Sequence, residues 1–254
     1  MNDIVKDPFA RLKAATPARV GLGRVGTALP TQVNLDFQYA HSRARDAVHA
    51  PLDQNKLIDA LDNYELLMVQ SAAPDRTTYL RRPDLGRQLR KDEAERLAIK
   101  ADHYDICFVI ADGLSSDAVQ NHSAKLIKAT LPFLKNFKLS PIVLATQGRV
   151  AIGDKIAMAL GARLVVILIG ERPGLTVADS LGVYITINPN ETTRDSERNC
   201  ISNIHQKGGL SYEQAAHKIS WLIHQALSLG ITGTQLKEDA DHTLLENDDI
   251  AKLT

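Results

Sequence analysis

Charge of one sign is the first thing this chain lacks. Its 30 Lys and Arg residues balance 30 Asp and Glu, so no overall field draws it to nucleic acid or to an anionic membrane, and any partner has to be recognised by a local surface. A long apolar run is missing too. No stretch approaches the roughly 20 residues that a membrane span needs, and the opening MNDIVKDPFARLK has no apolar signal region. Cysteine is scarce: Cys107 and Cys200 lie far apart, within or beside apolar runs, which predicts reduced thiols rather than a structural disulfide. Together these absences predict a cytoplasmic protein. The chain also contains no G-x-S-x-G elbow, no H-E-x-x-H pair and no C-x-x-C, so the hydrolase, zinc protease and thiol-redox readings lack their minimal parts. No residue is assigned a catalytic or metal-binding role.

What is present is a core-forming pattern. The 254 residues, 44% of them apolar, suffice for one large domain or two modest ones. The most telling stretch is LVVILIGERPG, residues 164–174. Its apolar start, rich in β-branched residues, does not alternate and is closed by Gly and Pro, as in a strand buried on both faces. Such strands belong mainly to parallel sheets covered by helices, and ligands bind outside their carboxyl ends, where Glu171 and Arg172 stand. ICFVIADG, PIVLAT and VYITINP supply further strands. Ser115 and Ser116 can cap a helix running toward Leu131, AIGDKIAMALG a second helix ending at Gly161, and residues 211–229 a third, with Ser211 and Gln214 as a capping box and Gly230 as its stop. The first hundred residues instead show helical spacing at 31–48, 53–70 and 85–100. The predicted fold is therefore α/β: a Rossmann-like open, mostly parallel sheet with helices on both faces at 102–236, preceded by a helical N-terminal region at 1–101 and followed by an acidic tail at 237–254.

Several motifs tempt and fail. Gly21, Gly23 and Gly26 fit G-x-G-x-x-G, but TPARV makes a poor core strand before them and Pro30 breaks the segment after them. Gly148 to Gly153 succeeds a buried strand and opens a helix as a phosphate loop does, yet Asp154 stands where that loop needs its Lys. The turn remains a good ligand edge, because helix-start N–H groups face the strand ends; a plain βα connection is the competing reading. Asn203 and His205 approach the D-x-H-x-x-G pattern by which some cobalamin enzymes offer a His to cobalt, but Asn replaces the Asp that would raise the imidazole's basicity. His205 is read as a turn residue. His217 and His224 share a helix face but stand two turns apart, about 10 Å at ~1.5 Å per residue, too far for one metal.

Read together, ARVG with Gly23, Arg24 and Gly26, AHSR with Asp46, YLRRPDLGR, DGLS with Asp117 and Ala118, GRV at 148–150, GERPGL at 170–175 and CISNIHQ at 200–206 span nearly the whole chain in order. In this the sequence resembles the small (light) subunit family of ethanolamine ammonia-lyase. The resemblance implies a carbon–nitrogen lyase that converts ethanolamine to acetaldehyde and ammonia with adenosylcobalamin. It further implies a large subunit, a TIM barrel carrying the radical chemistry, in an assembly of six large and six small subunits. By position, the family's cobalamin contacts fall on Val150, Glu171 and Cys200. Because Val150 and Glu171 come after adjacent βα-type strands, both are expected to open on one sheet edge. An ion pair with Arg172 is the structural alternative for Glu171, and a buried small apolar position the alternative for Cys200. Some family members carry a longer N-terminal extension that resembles a microcompartment targeting segment; here the recognisable domain begins near Asp7, so a plain cytosolic enzyme is expected, with encapsulation through the large subunit left open. The competing functional readings are a stand-alone phosphate- or nucleotide-binding module built on the Gly148 turn and a scaffold whose sheet binds nothing.

Overall fold

The apolar run that opens at Leu164 lies inside the sheet, as its lack of alternation predicts. The computed structural model describes residues 7–16 and 18–240. In it this run is part of β4 (Ala162–Gly170), all but one of whose residues are buried. Its neighbours are β2 (Tyr104–Ala111), parallel, and β5 (Leu181–Ile187), antiparallel. With β1 (Leu66–Gln70), β3 (Ile142–Thr146) and β6 (Asn199–Ile204) they form one six-stranded sheet in the order β1-β3-β2-β4-β5-β6. The β1, β3, β2 and β4 strands run parallel, β5 is reversed, and β6 pairs antiparallel with β5 and so regains the common direction. The α/β class with a mostly parallel sheet is thus observed. The reversal has a local cause: residues 171–180 hold no helix, and a parallel return requires a crossover that such a short loop cannot make.

Helices cover both faces. On one, α5 (Lys91–Ala98) and α7 (Ile152–Leu160) pack on Cys107, Val109, Val165 and Ile167; on the other, α6 (Ser116–Thr130) and α8 (Tyr212–Leu229), with α3 (Gln54–Ala60), pack on Phe108, Leu144, Val166 and Ile185. The caps fall where the side chains allow them. Ser115 Oγ accepts from the Ala118 N–H, Ser211 and Gln214 form a reciprocal capping box, and Gly161 and Gly230 end α7 and α8 in the left-handed conformation.

Two helix expectations need correction. Residues 53–70 are not one helix: Asp53 caps α3, the chain turns after Leu61, and Leu66–Gln70 becomes β1 on the sheet edge. β1 thus lies on the N-terminal side of the division expected at residue 101 while being hydrogen-bonded into the sheet. Residues 85–100 yield only a short 3-10 turn and then α5. The helix expected over 31–48 is present as α2 (Thr31–His49). The acidic tail from 241 onward lies outside the described residues.

Contrary to expectation, the strands before Val150 and Glu171 are not adjacent: β2 stands between β3 and β4. From β2 the chain crosses by α6 to β3, then by α7 over the opposite face to β4. The carboxyl end of β2 is therefore a topological switch point, the crevice at which open α/β sheets take ligands. Gly21, Gly23 and Gly26 all have positive φ in a loop closed by a Val25–Ala28 bridge, without the preceding strand that a dinucleotide motif requires.

Candidate functional site

At the switch point a buried carboxylate holds the next loop. Asp112, just after β2, accepts the N–H groups of Gln147 (2.9 Å) and Gly148 (3.0 Å), and Arg76 Nη1 lies 3.5 Å from it. Burial pushes its carboxyl up from the usual range, against the pull of the Gln147 N–H and Arg76. Arg76 also donates to the carbonyls of Val48 (2.7 Å) and Gly113 (2.8 Å), tying α2 to the same corner. The Tyr79 hydroxyl donates to the Gly148 carbonyl at 3.0 Å, and its ring lies between the guanidinium groups of Arg76 and Arg149, 4.8 and 4.4 Å from the centroid. The Arg149 N–H donates to the Gly86 carbonyl at 2.7 Å. The turn that presents Val150 is thereby fixed from several sides.

Glu171 is positioned by the return to β5. At Gly170 a Cβ would come within 2.0 Å of the Ser115 carbonyl oxygen, so only glycine lets β4 end so close to the start of α6. The Glu171 N–H then donates to the Ser180 carbonyl, and its Oε2 accepts from the Ser180 hydroxyl and, at 3.4 Å, from the Asn203 N–H. Among the described residues it makes no ion pair with Arg172, and its Oε1 takes no hydrogen bond. Cys200 stands opposite Tyr184 in the β5–β6 ladder and is exposed rather than buried. The Tyr184 hydroxyl is within hydrogen-bonding reach of the Cys200 sulfur. Although the residue as a whole is exposed, partial burial of the thiol first, with the Glu171 charge adding to it, holds the Cys200 thiol above its ordinary value.

The three residues singled out in the sequence thus converge on Tyr184. Val150, Glu171 and Tyr184 line a cavity of about 440 Å³ together with Tyr79, Gly113 and Arg149. A second cavity of about 330 Å³ shares Arg149, Val150 and Tyr184 and adds Arg87, Asp195 and Arg198. Cys200 flanks both through Tyr184. Asp154, the residue that spoiled the phosphate loop, is buried and bound by Arg198 through two hydrogen bonds of 2.6 and 2.7 Å. His205 spends both nitrogens inside its own turn: Nδ1 accepts from the Lys207 N–H, which leaves the Nε2 proton for Asn203 Oδ1 at 2.7 Å. Both cysteines are free. Tyr79, Arg149 and Tyr184 were not anticipated as site residues. Tyr184 had a signal, since it interrupts an apolar strand on the face opposite Val183 and Ile185; Tyr79 was visible only as the first residue of YLRRPDLGR.

Among the described residues there is no group of three or more His, Cys, Asp or Glu able to hold a metal ion, and the edge carries apolar, carboxylate and thiol groups without a nucleophile–base pair. Fold and site define the class as an α/β protein with a six-stranded sheet whose carboxyl edge carries two adjoining cavities. The family model for the ethanolamine ammonia-lyase light chain matches residues 6–237. The chain is 46% identical to the ethanolamine ammonia-lyase small subunit of Pseudomonas fluorescens (strain SBW25), over 97% of this chain and 92% of that one. It is 48% identical to the small subunit of Azotobacter vinelandii, with 95% and 92% covered, and 46% identical to that of Xanthomonas campestris pv. campestris, with 96% and 92% covered. The chain belongs to the ethanolamine ammonia-lyase light-chain family, and with it to the lyases of ethanolamine catabolism. No helix of the described residues is long and apolar enough to cross a membrane.

Proposed function

We propose that the carboxyl edge of this sheet forms part of an adenosylcobalamin site completed by a catalytic large subunit, in an enzyme that converts ethanolamine to acetaldehyde and ammonia. One observation carries the reading: Val150, Glu171 and Cys200, far apart in sequence, meet around Tyr184 beside two cavities at the switch point. The residues suit the group. A corrin has apolar faces and a rim of amides, and this edge offers Val150 and the Tyr184 ring for the former. For the latter it offers Glu171 Oε1 and, buried without a partner, Gln147 Oε1. The cavities are much smaller than a whole cobalamin, in keeping with a surface that covers one side of it.

When bound, adenosylcobalamin supplies the radical chemistry. This chain's own residues bind and orient. Glu171 accepts hydrogen bonds from donors on the rim, Val150 excludes water from an apolar face, and Cys200 borders the surface beside Tyr184. The N-terminal region serves as the docking surface for the large subunit, whose presence the small-subunit name implies; six of each is the assembly expected, in the cytosol, with or without a microcompartment around it.

The test is cofactor affinity in the complex of the two subunits, monitored by visible absorbance. Val150→Asp is expected to weaken adenosylcobalamin binding by more than about tenfold, because it sets a charge against an apolar face. Glu171→Gln is expected to cost about two- to tenfold, the worth of one hydrogen bond. Affinity unchanged by both substitutions would leave the edge a scaffold. Tight binding of a nucleotide by this chain alone would favour an independent regulatory module.

A further inference from the structure

The two arginines that sandwich Tyr79 are not equivalent. Arg76 has Asp112 at 3.5 Å and gives its hydrogen bonds to Val48 and Gly113. Arg149 has neither an ion pair nor a side-chain hydrogen bond among the described residues, and its Nε is buried without a partner. The other guanidinium groups of the 330 Å³ cavity are neutralised: Arg198 by Asp154 at 2.6 Å, and Arg87 by Asp195 at 3.6 Å, a carboxylate that Arg198 also holds at 3.4 Å. Arg149 is therefore the cation that the chain leaves uncompensated at this cavity. Arg172, likewise without a carboxylate partner, is exposed and lines the other cavity beside Glu171, whose charge repels an anion.

A half-buried guanidinium facing a cavity gains most from an oxyanion, which its planar fork holds through two charge-assisted hydrogen bonds. Resting on the cofactor reading above, we propose that Arg149 recognises a phosphate, and that the phosphate is the phosphodiester of the cofactor's nucleotide tail, the fixed negative charge of cobalamin. The 330 Å³ cavity is its seat, with Val150 at the boundary between tail and macrocycle. α7 begins at the same cavity, but the Ile152 and Gly153 N–H groups donate to the Arg149 and Val150 carbonyls and Asp154 lies in its first turn, so Arg149 carries the recognition. Asp195 opposes it, but is already engaged by Arg87 and Arg198.

The experiment compares two ligands on the assembled complex, adenosylcobalamin and adenosylcobinamide, which keeps the macrocycle and adenosyl group but lacks the nucleotide and its phosphodiester. Affinities are read by absorbance, without turnover. Arg149→Gln is expected to weaken adenosylcobalamin by about tenfold or more and to leave adenosylcobinamide unchanged, with Arg149→Lys in between. In the unsubstituted complex, inorganic phosphate is expected to compete with adenosylcobalamin but not with adenosylcobinamide, chloride of equal ionic strength serving as control; this arm needs no variant to fold. Equal loss for both ligands, or loss for neither, overturns the assignment. Phosphate binding that depends on Arg149 but never competes with adenosylcobalamin also overturns it, in favour of free phosphate. Should Val150→Asp and Glu171→Gln leave adenosylcobalamin affinity intact, the cofactor surface itself is misassigned; should they weaken it while Arg149→Gln affects both ligands alike, only the phosphate role falls.

Discussion

Asp154 occupies the place where a phosphate loop carries lysine, and in the fold it grips Arg198 from α7. Both side chains are almost fully buried, at 4% and 2% exposure, so removing Asp154 leaves the buried Arg198 charge with only the exposed Asp195 carboxylate, at 3.4 Å, to balance it. Asp154→Ala is expected to cost about 3–5 kcal/mol, whereas Asp154→Leu combined with Arg198→Met is expected to recover most of it; urea unfolding of the three proteins measures this, and a single substitution within experimental error of the parent would refute it. The sequence motif showed that this residue was wrong for phosphate but could not show what it was right for, because its partner is 44 positions away. His122 is a second buried polar anchor, with its ring nitrogens 2.8 Å from the Tyr212 hydroxyl and 2.9 Å from the Asp179 carbonyl. Burial holds its pKa below the ordinary 6.5, although the Asp179 carboxylate pulls the other way. The unfolded chain therefore takes up the proton first as pH falls. The stabilisation is complete above about pH 6.5 and is lost as pH drops through the lower folded value. His122→Gln is expected to be less stable at neutral pH but to lose less between about pH 7.5 and about pH 5.5; an identical decline in both proteins would sink the idea.

Elements with local punctuation were legible. β4, α7 and α8 carry their own stops, and the Ser211 box and Gly230 needed no tertiary information. β1 was not, because Leu57, Leu61, Leu66 and Val69 keep an approximately helical spacing across the turn at Asp62 and Asn63, and what makes a strand of Leu66–Gln70 is the free edge of β3. The reversal of β5 was hidden for a similar reason: its sequence has the apolar character of its parallel neighbours, and only the loop before it decides direction. The α2 helix shows the opposite imbalance. Over its full length only Ala40 and Ala47 are buried, while Leu35, Phe37 and Tyr39 are exposed, Tyr39 at 68%. Leu35 and Tyr39, one turn apart, share a face, and exposed apolar groups so placed fit a docking surface for the large subunit in the proposed assembly. Leu35→Lys with Tyr39→Glu is expected to abolish co-purification with that subunit while leaving the thermal midpoint of this chain unchanged; an undiminished complex would remove α2 from the interface.

At the scale of the molecule, Arg76 ties α2, the proposed docking helix, to the sheet edge proposed to meet the cofactor, through the carbonyls of Val48 and Gly113. If the reacting groups belong to the large subunit, as proposed, the isolated chain given ethanolamine and adenosylcobalamin is expected to release no acetaldehyde, and release would mean that the catalytic centre has been misplaced. The strand order has one more consequence, which concerns synthesis. β1 touches only β3 in the sheet, and β3 is made more than seventy residues later. During translation, the first strand to leave the ribosome has no partner until the third has emerged, so β1 waits beside an equally unpaired β2. The strand that is born first is thus held back until the third is made, and a nascent chain stalled before Ile142 is the state in which a chaperone or a protease has its best access to it.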